Sequence, residues 1–432
     1  MPPQGATAND STRLRARLRR IALDHQGLLR RAPFGSGLPG ARRAIERLGY
    51  VQIDTISVIS RAHDHVLQVR VPGYTPDLLD RLQAEGSVFE YWAHAAAYLP
   101  TRDYRFALPH MHAMRERRER WVRSRDETLM AQVLDRVRLE GPLQTRDFEA
   151  PAGASAGWWD WKPAKRALEQ LFMQGDLMVA GRAGFRKIYD LPERVLPAWV
   201  DTREPTLAEY ARHLIDRHLD AHGFASVRAC TYQRRTPGLR EAVERALEDA
   251  FREGVLARLE LHAPERHVYA DPEALERRAP PALDRARLLS PFDNVIILRH
   301  RGQSLFDFDY QLECYLPESK RRFGYFCLPV LYRDRFVGRA DCKAHRREER
   351  LEVRRLFVEH EQWLGRDPDG AFTAIAEALA QLAAHTGCGT VALEDVLPRR
   401  WQIPMAAALR AAAPLEANGA GLAATTHQET IQ

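Results

Sequence analysis

Residues 49–63 read GYVQIDTISVISRAH and place an amide and a carboxylate, Gln52 and Asp54, two positions apart in an apolar run. If residues 51–56 are extended, side-chain alternation puts both polar groups on one face of the strand. A carboxylate among apolar neighbours is costly unless it is hydrogen-bonded or functional. The stretch therefore predicts either a catalytic pair or an aspartate that caps a helix beginning near Ile56.

Composition narrows the class of protein. The chain has 432 residues, of which 45% are hydrophobic and 28% charged, so it can fold into several domains with buried cores. A net charge of +6 favours an anionic partner, and nucleic acid fits better than a membrane surface. The apolar runs are far shorter than the roughly 20 residues of a membrane span, and no signal peptide is evident. We expect a cytoplasmic, nucleoid-associated monomer.

Metal and disulfide chemistry have little support in the sequence. His63 and His65 are the nearest approach to a ligand pair, but no further ligand clusters with them. The cysteines are odd in number and include no Cys-x-x-Cys pair, so they read as small buried side chains. They are Cys230, Cys314, Cys327, Cys342 and Cys388. We predict no metal and no cofactor, which also disfavours a metal-dependent nuclease.

Three successive segments repeat one pattern of helices followed by a hairpin. In the second copy we predict a helix over 128–139, a short helix over 143–148, a longer helix over 161–175 and a hairpin over 177–191. The pattern recurs from Thr206, and an N-terminal copy ends with a hairpin over 88–98. A repeat of this length predicts three tandem winged-helix domains.

The carboxyl third changes character. Residues 288–357 are rich in Phe, Tyr, Val and Leu with charged interruptions, which predicts antiparallel strands in a small barrel or sandwich. A helix carrying Phe372 and Leu382 covers it. The predicted fold is α+β, with three tandem winged helices followed by a small C-terminal β-barrel and a covering helix. The predicted segments are a disordered arm (1–12), winged helices (13–125, 126–200 and 201–283), the barrel with its helix (284–408) and a disordered tail (409–432).

The block LGYVQIDTI at residues 48–56, followed by RAH at 61–63, resembles the Gln-Φ-Asp signature of the AlkZ and YcaQ family of DNA glycosylases, where Φ is apolar. The resemblance implies that Gln52 and Asp54 are the catalytic pair. It also implies that tandem winged helices line a basic channel around duplex DNA, and that bases are excised without entering a deep pocket. Gln-Φ-Asp members resemble the branch that unhooks interstrand cross-links, whereas Gln-Φ-Gln marks a branch tied to a natural-product toxin.

The chemistry of such a site can be stated from its residues. An ionised Asp54 stabilises an oxocarbenium-like sugar and accepts a proton from a water that Gln52 holds. An N7-alkylated purine already carries positive charge, so no strong general acid is needed. A Schiff-base mechanism needs an amine, and no lysine lies in the N-terminal copy, which favours a monofunctional enzyme. The lysines of the chain are Lys162, Lys165, Lys187, Lys320 and Lys343.

Basic side chains are the candidates for salt-dependent phosphate contacts. Arg61 and His63 follow the motif, and the remainder lie in the second copy and in the carboxyl third. These are Lys162, Lys165, Arg166, Arg299, Arg301, Lys320, Arg321, Lys343, Arg346 and Arg347. The expected partner is double-stranded DNA with alkylated or cross-linked purines. The alternative is a winged-helix DNA-binding regulator without catalysis, in which Asp54 is a cap.

Overall fold

The computed structural model describes residues 8–116, 125–148, 161–261, 267–278 and 280–412. Within these ranges no helix is long and apolar enough to cross a membrane.

An N-terminal helix, α1 (Ala8–His25), docks onto the carboxyl third of the chain. Leu18 and Leu23 are buried in one cluster with Phe306 and Phe336. Once packing of this apolar face has fixed the helix, each further residue added at its N-terminus costs little free energy. The disordered arm predicted for 1–12 is therefore wrong for residues 8–12, which are helical, and residues 1–7 lie outside the described ranges.

The first helix-and-sheet unit contains the motif. Gly49, with φ of 80°, ends its second helix and turns the chain into the first strand. The three strands pair antiparallel in the order β1-β3-β2, with Gln52 opposite Ala97. The elements are α2 (Gly37–Leu48), β1 (Val51–Gln52), α3 (Ala62–Gln68), α4 (Asp77–Ala84), β2 (Val88–Trp92), β3 (Ala96–Pro100) and α5 (Leu108–Arg115).

The second unit has the same strand order, β4-β6-β5. Its predicted helices and hairpin are confirmed, except that residues 143–148 are a short strand and a 3-10 turn instead of a helix. Leu143 pairs with Tyr189 and so completes the sheet. The elements are α6 (Glu127–Glu140), β4 (Leu143–Gln144), α7 (Trp161–Met173), β5 (Met178–Ala183), β6 (Arg186–Asp190) and α8 (Pro192–Val195).

The third unit repeats the order as β7-β9-β8. A capping box between Thr206 and Glu209 begins its first helix, and Asp271 caps the short helix that follows the hairpin. The elements are α9 (Leu207–His222), β7 (Phe224–Ala225), α10 (Val227–Cys230), α11 (Leu239–Arg252), β8 (Ala257–Glu260), β9 (His267–Ala270) and α12 (Pro272–Glu276).

The carboxyl third is an open sheet rather than the predicted closed barrel. Its strands run β10-β11-β12-β13-β14, with β15 also on β13, and no pairing among the described residues joins the two edges. The last strands pair parallel to β13 because a helix carries the chain back across the sheet. The elements are β10 (Ala286–Leu288), α13 (Arg299–Phe306), β11 (Cys327–Tyr332), β12 (Arg335–His345), β13 (Arg350–Val358), α14 (Pro368–His385), β14 (Thr390–Leu393), β15 (Val396–Leu397) and α15 (Gln402–Ala411).

The C-terminal helix and α14 cover the sheet. Phe372 and Leu382 are buried on the face of α14 that was predicted. Because α15 runs to Ala411, the tail predicted from 409 begins too early, and residues 413–432 lie outside the described ranges. Met405 of α15 joins the same core.

Candidate active site

Asp54 lies in a loop, not at a helix start. The next helix, α3, begins at Ala62 with Arg61 as its N-cap residue, so the predicted helix cap is wrong. The Asp54 carboxylate instead accepts a hydrogen bond of 2.7 Å from the Ile56 amide two residues on. Burial raises the pKa of this carboxyl, while the amides of Ile56 and Thr55 lower it. A partly buried carboxylate that makes only local hydrogen bonds in this way suits a chemical role.

Gln52 is buried at the end of β1, with 6% of its surface exposed. Pairing continues one residue further, where the Ile53 amide donates to the Ala96 carbonyl at 2.7 Å, and Asp54 lies in the loop just beyond this bond. The Gln52 Oε1 atom lies 3.1 Å from Nε2 of His94, in the β2–β3 turn.

His94 fixes the orientation of that amide. Burial lowers the pKa of His94 to about 4, so the ring is neutral near pH 7 and has one N–H. When Nε2 carries the proton it donates to Oε1, and the Gln52 amide nitrogen points away from the ring. The rings of Tyr50 and Tyr232 lie 5.1 Å and 5.7 Å from that of His94 and hold it in place.

Asp54 lines a cleft of about 250 Å³ between the first and second units. Gln52 is not among the residues that line it. The cleft also receives His63, which is buried, with the centre of its ring 5.7 Å from that of Tyr98 in an edge-to-face arrangement. Burial lowers the pKa of His63 to about 3, so this ring is neutral and offers no charge to a phosphate. Further lining residues are Ile53, Thr55, Arg61, Asp64, Pro76, Leu79, Asp80, Arg182, Gly184 and Phe185.

The two histidines considered as a metal pair do not converge. His63 lines the Asp54 cleft, whereas His65 lines a different cavity and its Nε2 lies 2.9 Å from the carbonyl of Leu288. No group of three or more His, Cys, Asp or Glu side chains in the part of the chain that the structure describes is arranged to hold a metal ion.

The loop after Asp54 is supported by the C-terminal sheet. Ile59 is fully buried in the core of that sheet. The Ala344 amide donates to the Val58 carbonyl at 3.1 Å, and the Arg346 guanidinium donates to the carbonyl of Ile59. Residues nearly three hundred positions apart in the chain therefore shape one site.

Comparison with known proteins identifies this arrangement. The family model described as DNA glycosylase AlkZ-like matches residues 45–385, which include the motif, the first unit from the end of α2, the second and third units, and strands β10 to β13. The chain belongs to the AlkZ-like DNA glycosylase family. Its fold is similar to that of Streptomyces sahachiroi DNA glycosylase AlkZ, with a TM-score of 0.59 and 20% identity over 88% of this chain and 99% of that one. The enzyme is thus a DNA glycosylase, which hydrolyses N-glycosidic bonds.

Arg61 and the basic residues at the end of β12, which were predicted to contact DNA, lie at or near the Asp54 cleft and its loop. Arg61 lines the Asp54 cleft, and Lys343, Arg346 and Arg347 are exposed where β12 ends beside the Asp54 loop. Lys320 is exposed in the segment before β11. On α7, Lys165 and Arg166 are exposed opposite the buried face, whereas the Lys162 side chain lies outside the described residues.

Three of the predicted DNA contacts are partly or fully buried against the protein. Arg301 is 1% exposed on α13, with its guanidinium 5.6 Å from the ring of Phe224, so it is wrong as a phosphate contact. Arg299 donates to the carbonyls of Ile296 and Pro291. Arg321 is half-buried and donates to the carbonyl of Leu316. The sequence around Arg301 gave no strong helical period, so the burial of α13 was not anticipated.

The sequence interpretation missed the residues that approach Gln52 and the Asp54 cleft from other parts of the chain. His94 lies in a hairpin turn, and Arg182 and Phe185 lie at the tip of the β5–β6 hairpin. Glu90, on β2, is buried and pairs with Arg182 at 2.8 Å. A charged residue in the middle of an apolar strand was the one sequence signal that pointed to Glu90.

Proposed function

We propose that the enzyme is a monofunctional DNA glycosylase that releases N7-alkylated purines from duplex DNA, including purines joined in interstrand cross-links. The observation that carries the proposal is the Asp54 carboxylate, partly buried in a cleft in the loop that follows the motif strand. In this proposal three winged helices, over 13–125, 126–200 and 201–283, hold the DNA, and a monomer is the active unit.

Asp54 acts on the sugar. A positive charge develops on the deoxyribose as the bond to the base breaks, and a nearby carboxylate stabilises it in a site of reduced dielectric. The same carboxylate accepts a proton from the attacking water. Because an N7-alkylated purine leaves as a neutral base, the other cleft carboxylates need not donate a proton. Asp64 is already engaged by the Tyr74 hydroxyl at 2.8 Å.

Gln52 positions the water in this mechanism. Its Oε1 atom is satisfied by His94, which leaves the N–H groups of the amide to donate to the water. His94 is therefore a positioning residue. It holds the amide in one of its two orientations and does not itself take part in proton transfer.

Water rather than an amine is the nucleophile. None of the residues that line the Asp54 cleft is a lysine. Lys187, on β6 of the second unit, lies 3.1 Å from the Glu90 carboxylate and 4.2 Å from the centre of the Phe172 ring. A side chain held by these contacts is not free to reach the sugar and form a Schiff base.

The test is release of N7-methylguanine from methylated duplex DNA in the presence of a chelator. Wild-type enzyme releases the base and leaves an uncut abasic strand. Asp54→Asn and Gln52→Ala lose most of this activity while they still bind duplex DNA. Cleavage of the strand by wild-type enzyme, or loss of activity with the chelator, contradicts the proposal.

A further inference from the structure

The tip of the β5–β6 hairpin carries an exposed aromatic ring beside the site. Phe185 is 58% exposed, although its side chain is among the most apolar in the chain. It lines the same cleft as Asp54 but belongs to the second unit. An apolar ring left in water next to a catalytic cleft indicates a surface that is covered when substrate binds.

The tip is held rigidly against the first unit. Arg182 donates two hydrogen bonds, of 2.9 Å and 2.8 Å, to the Glu90 carboxylate, whose side chain is fully buried. Arg182 also donates to the Phe185 carbonyl at 3.1 Å. Lys187, on the other strand of the hairpin, pairs with Glu90 as well. These contacts fix the position of the ring before any ligand arrives, which reduces the entropy lost on binding.

Phe185 also stacks with a cation from the motif segment. The guanidinium carbon of Arg61 lies 4.1 Å from the centre of the Phe185 ring. Phenylalanine rings and arginine planes are the two kinds of side chain on which nucleobases stack. Arg186, next to Phe185, is exposed as well and adds positive charge to the tip.

We propose that Phe185, supported by Arg61, is a wedge that inserts into duplex DNA at the base step beside the damaged purine. The inference rests on the proposed function. Apolar side chains inserted between base pairs unstack the duplex and bend it at a modest energetic cost. The insertion presents the sugar of the damaged nucleotide to Asp54 while the base itself stays outside any deep pocket.

The experiment compares Phe185→Ala, Phe185→Trp and a control, Trp199→Ala, in single-turnover release of N7-methylguanine. Trp199 is 63% exposed but does not line the Asp54 cleft. Since stacking on an aromatic side chain dominates such contacts, Phe185→Ala releases the base about tenfold to a hundredfold more slowly. Phe185→Trp and Trp199→Ala keep the wild-type rate. All three melt as wild type does, because both rings are exposed.

A second measurement reports the insertion itself. Duplexes that contain 2-aminopurine next to the methylated guanine are bound by enzyme in the Asp54→Asn background. Fluorescence rises when Phe185 or its Trp replacement is present and does not rise with Phe185→Ala. A Phe185→Ala enzyme with the wild-type rate and the full fluorescence rise overturns the wedge. Absence of base release by wild-type enzyme overturns the proposed function instead.

Discussion

Replacing Asp54 by Asn separates chemistry from folding. Asparagine keeps the size of the side chain and an oxygen that accepts the Ile56 amide, so the turn of the loop survives. Only the negative charge is removed. Across about 4 Å, at an effective dielectric of about 20, a carboxylate stabilises a developing cation by about 4 kcal/mol. Partial exposure of Asp54 reduces this to about 2–4 kcal/mol, or a 30-fold to 1000-fold loss of rate.

Asp54→Asn slows base release but does not lower the stability of the folded protein. Burial raises the pKa of Asp54, which means that the folded protein disfavours the charged form. The energetic penalty for burying the charged carboxylate is absent below the unfolded-state pKa of 3.8 and appears as the pH rises through the folded-state pKa. At pH 7 the neutral asparagine avoids it, so Asp54→Asn melts at the same temperature as wild type or higher. If Asp54 capped a helix, Asp54→Asn would instead melt at a lower temperature than wild type.

The assay is single-turnover base release over a range of pH, with thermal melting alongside. Because the ionised carboxylate is the active form, the wild-type rate rises with pH through the raised Asp54 pKa and then levels off, and Asp54→Asn lacks this limb. Asp64→Asn is the matched control, since Asp64 lies in the same cleft but is bound by Tyr74. The assignment of Asp54 as the catalytic carboxylate is refuted if Asp54→Asn releases the base at the wild-type rate, or if Asp64→Asn alone loses base release.

Further predictions concern the supports of the site. His94→Phe removes the donor to Gln52 and slows base release about tenfold, with DNA affinity unchanged. The control is His110→Phe, which replaces a histidine of similar burial that faces Tyr91. An equal loss of base release in both variants contradicts a positioning role for His94. Asp293→Ala leaves the fully buried Arg70 unpaired and lowers the free energy of unfolding by about 3–5 kcal/mol in urea titrations, and the double variant Arg70→Met with Asp293→Leu recovers most of it. Burial lowers the pKa of His63 to about 3 and that of His94 to about 4. The stability that these neutral rings contribute is complete above pH 6.5, the unfolded pKa, and is lost as the pH falls from there toward 4. The melting temperature should drop in that pH range, and a flat profile argues against buried neutral rings.

Local patterns predicted most of the architecture. The hairpin over 88–98 and helix α11 followed from alternation and from an apolar stripe, because both signals lie within one segment. The parallel pairing of β14 with β13 did not, since it depends on where a distant helix packs. The closed barrel was wrong for the same reason: strand content does not determine whether two edges meet.

The candidate site also combines residues that local sequence pattern indicates with residues that only the fold brings together. Gln52 and Asp54 could be proposed from sequence because they lie two residues apart within one apolar run. His94 and Phe185 were not, because a turn histidine and a wing-tip aromatic acquire meaning only when the chain brings them to the motif. Arg301 illustrates the converse, because a basic cluster in sequence resembles a phosphate contact until its burial is known.

The support of the Asp54 loop by β12 has a consequence for biosynthesis. Ile59 completes its packing, and Val58 gains its backbone partner, only after Ala344 has been translated. Domains of a nascent chain fold in order from the amino end, so the first unit is synthesised long before the segment that braces its Asp54 loop. We expect base release to begin only after the C-terminal sheet has formed, so an activity that creates abasic sites in DNA stays off while the chain is being made.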